Sequence, residues 1–187
     1  MSHIITLGWY FGSGKSTLGK ALAEHFTFER YSTGDFMRNM ALERGISLLE
    51  LWKEAEHDGG IIDSILDKRQ KQFGLTKDNF IIDGRLAFHF IPHALKIFLT
   101  IDPKEAARRI FEDKNRTSIV ESHENIEEVV EKLKTRRASE NERYMKYYGV
   151  HIYDMDLYDI VIDTTWLSPD KVTEKIILEI KKRWNAQ

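Results

Sequence analysis

Residues 8–17 read GWYFGSGKST and have the composition of a loop that binds a polyphosphate. Such a ligand needs several backbone N–H groups that converge on one concavity, glycines that allow its approach, and a helix N-terminus whose dipole faces the anion. The residues expected to hold the phosphates of ATP in this way are Gly12, Ser13, Gly14, Lys15, Ser16 and Thr17. Lys15 is expected to reach the outer phosphates as a catalytic cation, and the Ser16 hydroxyl is expected to bind Mg²⁺.

The entrance to this loop departs from the usual pattern. GxxxxGK(S/T) requires glycine where this chain has Trp9, and Gly8 lies one residue too early. The missing glycine lies upstream of the N–H groups that hold phosphate, so its loss should constrain the entry path without removing donors. Two roles stay open for the aromatic residues 9–11, namely packing beside the end of the sheet or contact with an acceptor pocket.

A second anion site is predicted in YSTGDFMRNMA. Thr33 and Gly34 precede a predicted helix, and Arg38 lies about one turn inside it, facing the same end. A helix start combined with a guanidinium can bind a phosphate group through two parallel hydrogen bonds. We therefore expect Thr33 and Arg38 to bind substrate.

Charged residues also follow a strand rich in isoleucine in IIDGRLAF. Ligands of open α/β sheets lie beyond the carboxyl ends of the strands, which places Asp83 and Arg85 at such a position. Asp83 is expected to hold Mg²⁺ directly or through water, and Arg85 to bind the phosphate of an acceptor. A structural turn is the alternative for this segment.

The third constellation lies in a highly charged helical pattern between residues 112 and 147. Arg136, Glu140 and Arg143 are spaced i, i+4 and i+7 and therefore share one helix face. They could form an ion-pair ladder on a solvated helical hairpin. The phosphate loop favours the other interpretation, a lid whose arginines move onto a transferring phosphoryl group as catalytic cations.

The elements that must position these residues alternate along the chain. Short runs rich in Ile, Val and Phe predict strands at residues 4–7, 79–84, 94–102 and 158–164. Helix starts are predicted by the Ser47–Glu50 capping box, by Pro103 and by Ser168–Pro169. This alternation predicts an α/β protein with the three-layer fold of P-loop NTPases, in which helices cover both faces of a mainly parallel central sheet.

Composition limits the function classes. The 187 residues are expected to form a single domain, and 28 Lys and Arg against 30 Asp and Glu leave a net charge of −2, which does not favour nucleic acid or an anionic membrane. Cysteine is absent, and no apolar run approaches the roughly 18 residues of a membrane span. We expect a cytoplasmic protein without nucleic-acid or membrane partners, as a monomer, with a dimer left open.

The ordered set of motifs resembles the cytidylate kinases, and most closely the archaeal-type cytidylate kinase family. It comprises STGDxxR, DGR, KIFL followed by an acidic turn and ARRI, RxxxExxR, and VIDTT, from residue 4 to about 180. The resemblance implies a nucleoside monophosphate kinase domain over residues 1–187, with an acceptor-binding segment at about 33–75 and a lid at about 112–147. It implies ATP- and Mg²⁺-dependent phosphoryl transfer to a nucleoside monophosphate, with CMP or dCMP expected.

The resemblance also implies roles for individual residues. The residues that match positions holding the acceptor nucleotide are Thr33, Arg38 and Arg85, and those matching the lid pattern are Arg136, Glu140 and Arg143. Arg109, in ARRI, falls where the family places a phosphate-facing arginine. Trp9 in the loop, and Phe88 and His89 in the LAFHF that follows DGR, depart from the family pattern and bear on the base preference.

Two other functions stay open. A P-loop kinase of a different monophosphate or of a small non-nucleotide acceptor, such as a shikimate-like alcohol, would share the loop and the fold. A hydroxyl acceptor requires a carboxylate base, for which Asp35 and Asp83 are the candidates. A regulatory module that binds ATP without turnover is the second alternative.

Overall fold

The computed structural model describes residues 3–57, 60–113 and 125–185. Its strands are β1 (Ile4–Trp9), β2 (Glu29–Ser32), β3 (Phe80–Asp83), β4 (Leu95–Thr100) and β5 (Ile160–Asp163). Its helices are α1 (Lys15–Phe26), α2 (Thr33–Glu43), α3 (Leu48–His57), α4 (Ile61–Thr76), α5 (Ala87–Phe90), α6 (Pro103–Glu112), α7 (Ile126–Tyr148) and α8 (Pro169–Asn185), with a 3₁₀ turn at Met155–Leu157. Residues 58–59 of the expected acceptor-binding segment and 114–124 of the expected lid lie outside the described residues.

The strands form a five-stranded parallel sheet in the order β2-β3-β1-β4-β5. The four strands expected from the sequence and the mainly parallel sheet are confirmed. β2 was missed because it is short and lies at the sheet edge, where its residues ERYS are largely half-buried or exposed and form no apolar run. β3, in contrast, is buried along its whole length, which is typical of a central parallel strand.

The described residues group into two compact units. The first contains the residues up to Gly8 and those from Gly19 to Lys96. One of its apolar clusters packs α2, α3 and α4 around residues such as Met37 and Leu51. A second cluster packs β1 and β3 with residues 87–94, and Tyr31 and Phe73 contribute to both clusters.

The second unit contains residues 9–18 and those from Ile97 onward. Here α6 packs on α7 through Ala107, Ile110, Val129 and Val130, and Phe11 and Leu133 pack against this cluster. The Phe98 ring forms an edge contact with Tyr10 at 5.1 Å between ring centroids. The loop entrance is thereby fixed against the apolar interior of this unit.

The helix starts predicted from the sequence are confirmed. In the capping box, Ser47 N donates to Glu50 Oε2 at 2.7 Å, and Glu50 N donates to Ser47 Oγ at 3.1 Å. Asp102 caps α6, which begins at Pro103, by accepting from the first backbone N–H groups of the helix. At α8, Lys171 N donates to Ser168 Oγ at 3.3 Å. The caps at Asp102 and Ser168 fix the first turns of α6 and α8, the helices that follow β4 and β5.

Candidate active site

The phosphate loop leads from β1 into α1. Gly12 and Gly14 have left-handed φ angles of 83° and 86° and flank Ser13, which is buried. Backbone turns of this kind direct successive N–H groups towards one concavity that favours anions. Within the described part of the chain, the buried Ser13 Oγ has no hydrogen-bond partner. The loop therefore fits a polyphosphate, which offers several oxygen acceptors.

Gly12 is required for a second reason besides its φ angle. A Cβ built on Gly12 would lie 2.9 Å from both the Cα and the carbonyl oxygen of Ala106 in α6. Around a Cβ built on Gly14, in contrast, nothing lies within 4 Å. The loop is thus held closely against α6 at its first glycine and is open at its second.

Lys15 begins α1, and Ser16 and Thr17 are exposed in its first turn. The Lys15 ammonium lies 3.9 Å from the centroid of the Trp9 ring. A cation over the face of a tryptophan ring is attracted by the ring quadrupole. Trp9 therefore contacts the lysine of its own loop, a contact that was not predicted, and the two roles expected for this residue stay predictions.

The two aromatic residues after Trp9 contact consecutive arginines of α7. Arg136 Cζ lies 4.2 Å from the centroid of Phe11, and Arg137 Cζ lies 3.9 Å from that of Tyr10. Arg137 also donates a hydrogen bond to the Tyr10 hydroxyl. Burial raises the pKa of Tyr10, and the positive charge of Arg137 partly opposes this. Arg137 was missed because neighbouring helix residues do not share a face.

Glu140 connects Arg136 to an aromatic residue. It accepts from Arg136 Nε at 3.3 Å through one oxygen and from the Tyr153 hydroxyl at 3.0 Å through the other. Arg143, one turn further along α7, donates to the Tyr144 hydroxyl at 3.0 Å. The structure therefore joins Arg136 with Glu140 and places Arg143 against Tyr144.

Arg109 links α6 to the residues that follow β5. Its Nη2 donates to the carbonyl oxygens of Thr164 and Thr165 at 2.9 and 2.8 Å, and its Nε donates to Glu105 at 2.8 Å. Hydrogen bonds from Arg108 and Arg109 lower the pKa of Glu105 to about 2. Arg109 thus connects α6 to the segment after β5 through hydrogen bonds. Its expected contact with phosphate stays a proposal.

In the first unit, the ends of β2 and β3 place polar residues side by side. Ser32 pairs in register with Asp83, which is buried. Ser32 Oγ donates to Asp83 Oδ1 and Arg30 Nη2 donates to Asp83 Oδ2, both at 2.7 Å. A buried carboxylate requires such partners because its loss of hydration is costly. The contacts of Arg30 and Ser32 with Asp83 were not predicted because β2 was not predicted.

Of the residues expected to bind the acceptor, Thr33 directly follows Ser32 and Arg85 lies two residues after Asp83. Thr33 begins α2, and its hydroxyl donates to the Asp83 carbonyl oxygen at 3.3 Å. Arg38 forms an ion pair with Asp35 and is largely exposed, whereas Arg85 is half-buried. The structure therefore joins Thr33 to the segment that contains Asp83 and Arg85. Arg38 lies beside Asp35 on the exposed side of α2.

Two features are absent from the part of the chain that the structure describes. No helix in it is long and apolar enough to cross a membrane. No group of three or more His, Cys, Asp or Glu side chains in it could hold a metal ion.

A sequence model of the cytidylate kinase-like family matches residues 4–166. The chain belongs to this family. It is 36% identical over 162 residues to a cytidylate kinase of Methanococcoides burtonii, covering 87% of each chain. It is 36% identical over 182 residues to a cytidylate kinase of Methanocella arvoryzae, covering 96% of this chain and 99% of that protein.

Solved structures show the same fold. A shikimate kinase from Acinetobacter baumannii superposes with a TM-score of 0.63 over 98% of this chain and 94% of that chain, at 17% identity. The P-loop kinase fold predicted from the sequence is confirmed. This member of the cytidylate kinase-like family has aromatic residues at the entrance of the loop, and their contacts place Arg136 and Arg137 of α7 beside it.

The close contact of Gly12 with α6 makes a prediction about the loop. Gly12→Ala should lower the affinity for ADP at least tenfold and lower the melting temperature, because the new Cβ would meet the Ala106 backbone. Gly45→Ala is the matched control, since Gly45 has a φ of 66° and nothing within 4 Å of a built Cβ. Calorimetry and thermal unfolding measure both effects. Equal behaviour of the two variants would show that the contact does not constrain the loop.

Proposed function

We propose that the chain transfers the γ-phosphoryl group of ATP to a nucleoside monophosphate, with CMP or dCMP as the preferred acceptor. The observation that carries this proposal is the phosphate loop at the head of α1, in a member of the cytidylate kinase-like family. The products would be ADP and the nucleoside diphosphate. We propose the cytoplasm as the location and nucleotides as the partners of this activity.

On the donor side, residues 12–17 would bind the phosphates of ATP through backbone N–H groups, with Lys15 at the outer phosphates. Mg²⁺, when bound, would supply positive charge that offsets the negative charge of the phosphates during transfer. Such a cation is usually held by phosphates, water and one or two protein oxygens, which suits the exposed Ser16 hydroxyl. Both Asp83 oxygens already accept hydrogen bonds, so a contact through water suits this residue better than direct ligation.

On the acceptor side, Thr33, Arg38 and Arg85 would bind the monophosphate. Arg38 is suited to this because its ion pair with Asp35 is exposed and such pairs contribute little to stability. The guanidinium can therefore exchange a carboxylate for a phosphate group at small cost. The remaining substrate-binding residues that we propose are Asp83, Arg109 and Glu140.

Two polyanions repel each other, so the protein must neutralise both. We propose that Lys15, Arg136 and Arg143 do this and stabilise the charge that spreads over the transferring group in a loose transition state. The attacking phosphate oxygen is already ionised, and no general base is therefore required. Closure of the lid at about 112–147, in a single domain with its acceptor segment at about 33–75, would exclude the water that otherwise hydrolyses ATP.

A kinase of a small alcohol remains the competing function, because the fold is shared with shikimate kinase. A hydroxyl acceptor needs a carboxylate base, and Asp35 and Asp83 both form ion pairs with arginines. Guanidinium donors thus already occupy both carboxylates, and an acceptor hydroxyl would have to displace them before it could be deprotonated. The structure therefore favours an acceptor that is ionised before it binds.

Acceptor preference can be measured directly. We expect ATP consumption with CMP or dCMP at a kcat/KM at least tenfold above that with UMP, AMP or GMP, and no turnover with shikimate. A coupled assay that follows ADP formation measures all six acceptors under the same conditions. Turnover of shikimate with none of the nucleotides would overturn the proposal, and ATP binding without any product would favour a regulatory module.

Removal of either proposed catalytic cation should slow phosphoryl transfer. Lys15→Ala and Arg136→Ala should each lower kcat at least 100-fold, since an arginine on a transferring phosphoryl group contributes about 10³ to 10⁵ in related enzymes. Lys182→Ala, which breaks an exposed ion pair with Glu179 in α8, is the control and should leave kcat unchanged. Either active-site variant within threefold of the wild type would refute its assignment.

A further inference from the structure

Three consecutive aromatic residues at the loop entrance each lie against a cation. Trp9 contacts Lys15 at 3.9 Å, and the next two rings contact arginines of α7 at 3.9 and 4.2 Å. All three distances lie well within the roughly 6 Å over which a cation is attracted to a ring face. One of the cations is the loop lysine, and Arg136 is the proposed lid cation.

We propose that Trp9, Tyr10 and Phe11 are positioning residues that hold Lys15, Arg137 and Arg136 ready for polyphosphate, and that Arg137 is a further cation of this site. The effect of these rings on catalysis rests on the proposed function. Their effect on phosphate binding requires only that the loop binds phosphate.

Contact between a cation and a ring is not a hydrogen bond and does not use the N–H donors of the cation. A guanidinium has five such donors, and the hydrogen bonds of Arg136 to Glu140 and of Arg137 to Tyr10 each use one of them. An ammonium has three donors and faces the ring with only part of its surface. The rings can therefore orient the cations and stay in place when a phosphate binds.

The rings are themselves fixed by packing. Phe11 packs against the apolar cluster between α6 and α7. Tyr10 lies between Phe98 at 5.1 Å and Tyr153 at 5.4 Å between ring centroids. Arg137 also contacts the Tyr153 ring at 4.8 Å, so two rings hold this one guanidinium. A ring that is fixed by packing orders the long cationic side chain before phosphate binds. The side chain therefore loses less rotamer freedom on binding.

Electrostatics gives the rings a second effect. Without phosphates, cations gathered at the entrance repel one another, and the negative ring faces offset part of this repulsion. Glu140 adds a carboxylate that pairs with Arg136 and is itself held by the Tyr153 hydroxyl. The entrance thus keeps several cations close to the loop before any anion arrives.

Paired substitutions separate positioning from packing. Phe11→Leu and Trp9→Leu retain an apolar side chain but remove the ring quadrupole, whereas Phe11→Tyr and Trp9→Phe retain a ring. We expect each leucine variant to weaken the binding of ADP, and to raise the KM for ATP, by about 3- to 30-fold. The aromatic variants should stay within twofold of the wild type. Tyr147→Leu is the control, since Tyr147 is exposed and its ring lies 5.6 Å from Lys146.

Calorimetry with ADP, steady-state kinetics and thermal unfolding measure these effects. NMR of the arginine side chains in the free protein adds a readout that does not depend on activity. The Nε–Hε signal of Arg136 should move in Phe11→Leu and keep its position in Trp9→Leu.

Three results would overturn the proposal: leucine variants that bind ADP as tightly as the wild type, aromatic variants that fail as the leucine variants do, or an Arg136 signal indifferent to Phe11. The proposed function fails separately, if the wild type forms no diphosphate from any monophosphate. In that case the changes in ADP affinity and in the NMR signals still decide the role of the rings.

Discussion

The parallel register of β1, β2 and β3 is the constraint on which the first unit depends. Ser32 pairs with Asp83, so β2 and β3 end at one level, while β1, whose Leu7 also pairs with Asp83, continues to Trp9. Because the carboxyl ends of β2 and β3 coincide, Ser32 and Thr33 reach the segment that contains Asp83. A slip of one residue would turn each of these side chains to the opposite face of the sheet.

The buried Asp83 shows how the register is stabilised. Arg30 and Ser32 both donate hydrogen bonds to its carboxylate, and they lie two residues apart and therefore on one face of β2. The ion pair between Arg30 and Asp83 thus links β2, an edge strand with little apolar surface, to the fully buried β3. Removal of one partner would leave an uncompensated carboxylate, which is a large cost in the protein interior.

The phosphate loop, the strands with long apolar runs and the helix caps could be predicted from the sequence because they depend on local spacing. β2 could not, since four residues at a sheet edge carry no apolar pattern. The contacts of Tyr10 and Phe11 depend on where α7 packs in the fold, and helix periodicity places Arg137 off the face that carries Arg136. The sequence also predicted cations at 136 and 143 without indicating the tyrosine that contacts Arg143.

A chain that joins two phosphorylated substrates must concentrate positive charge without losing its fold. Here, Lys15 and two arginines of α7 lie against aromatic rings, and Glu140 balances part of their charge. We propose that this charge serves transfer to a nucleoside monophosphate. Phosphorus NMR of ATP, Mg²⁺ and CMP with the protein follows this transfer. We expect the ATP γ signal to be replaced by the β signal of CDP in equal amount. Release of inorganic phosphate alone, or no change, would contradict it.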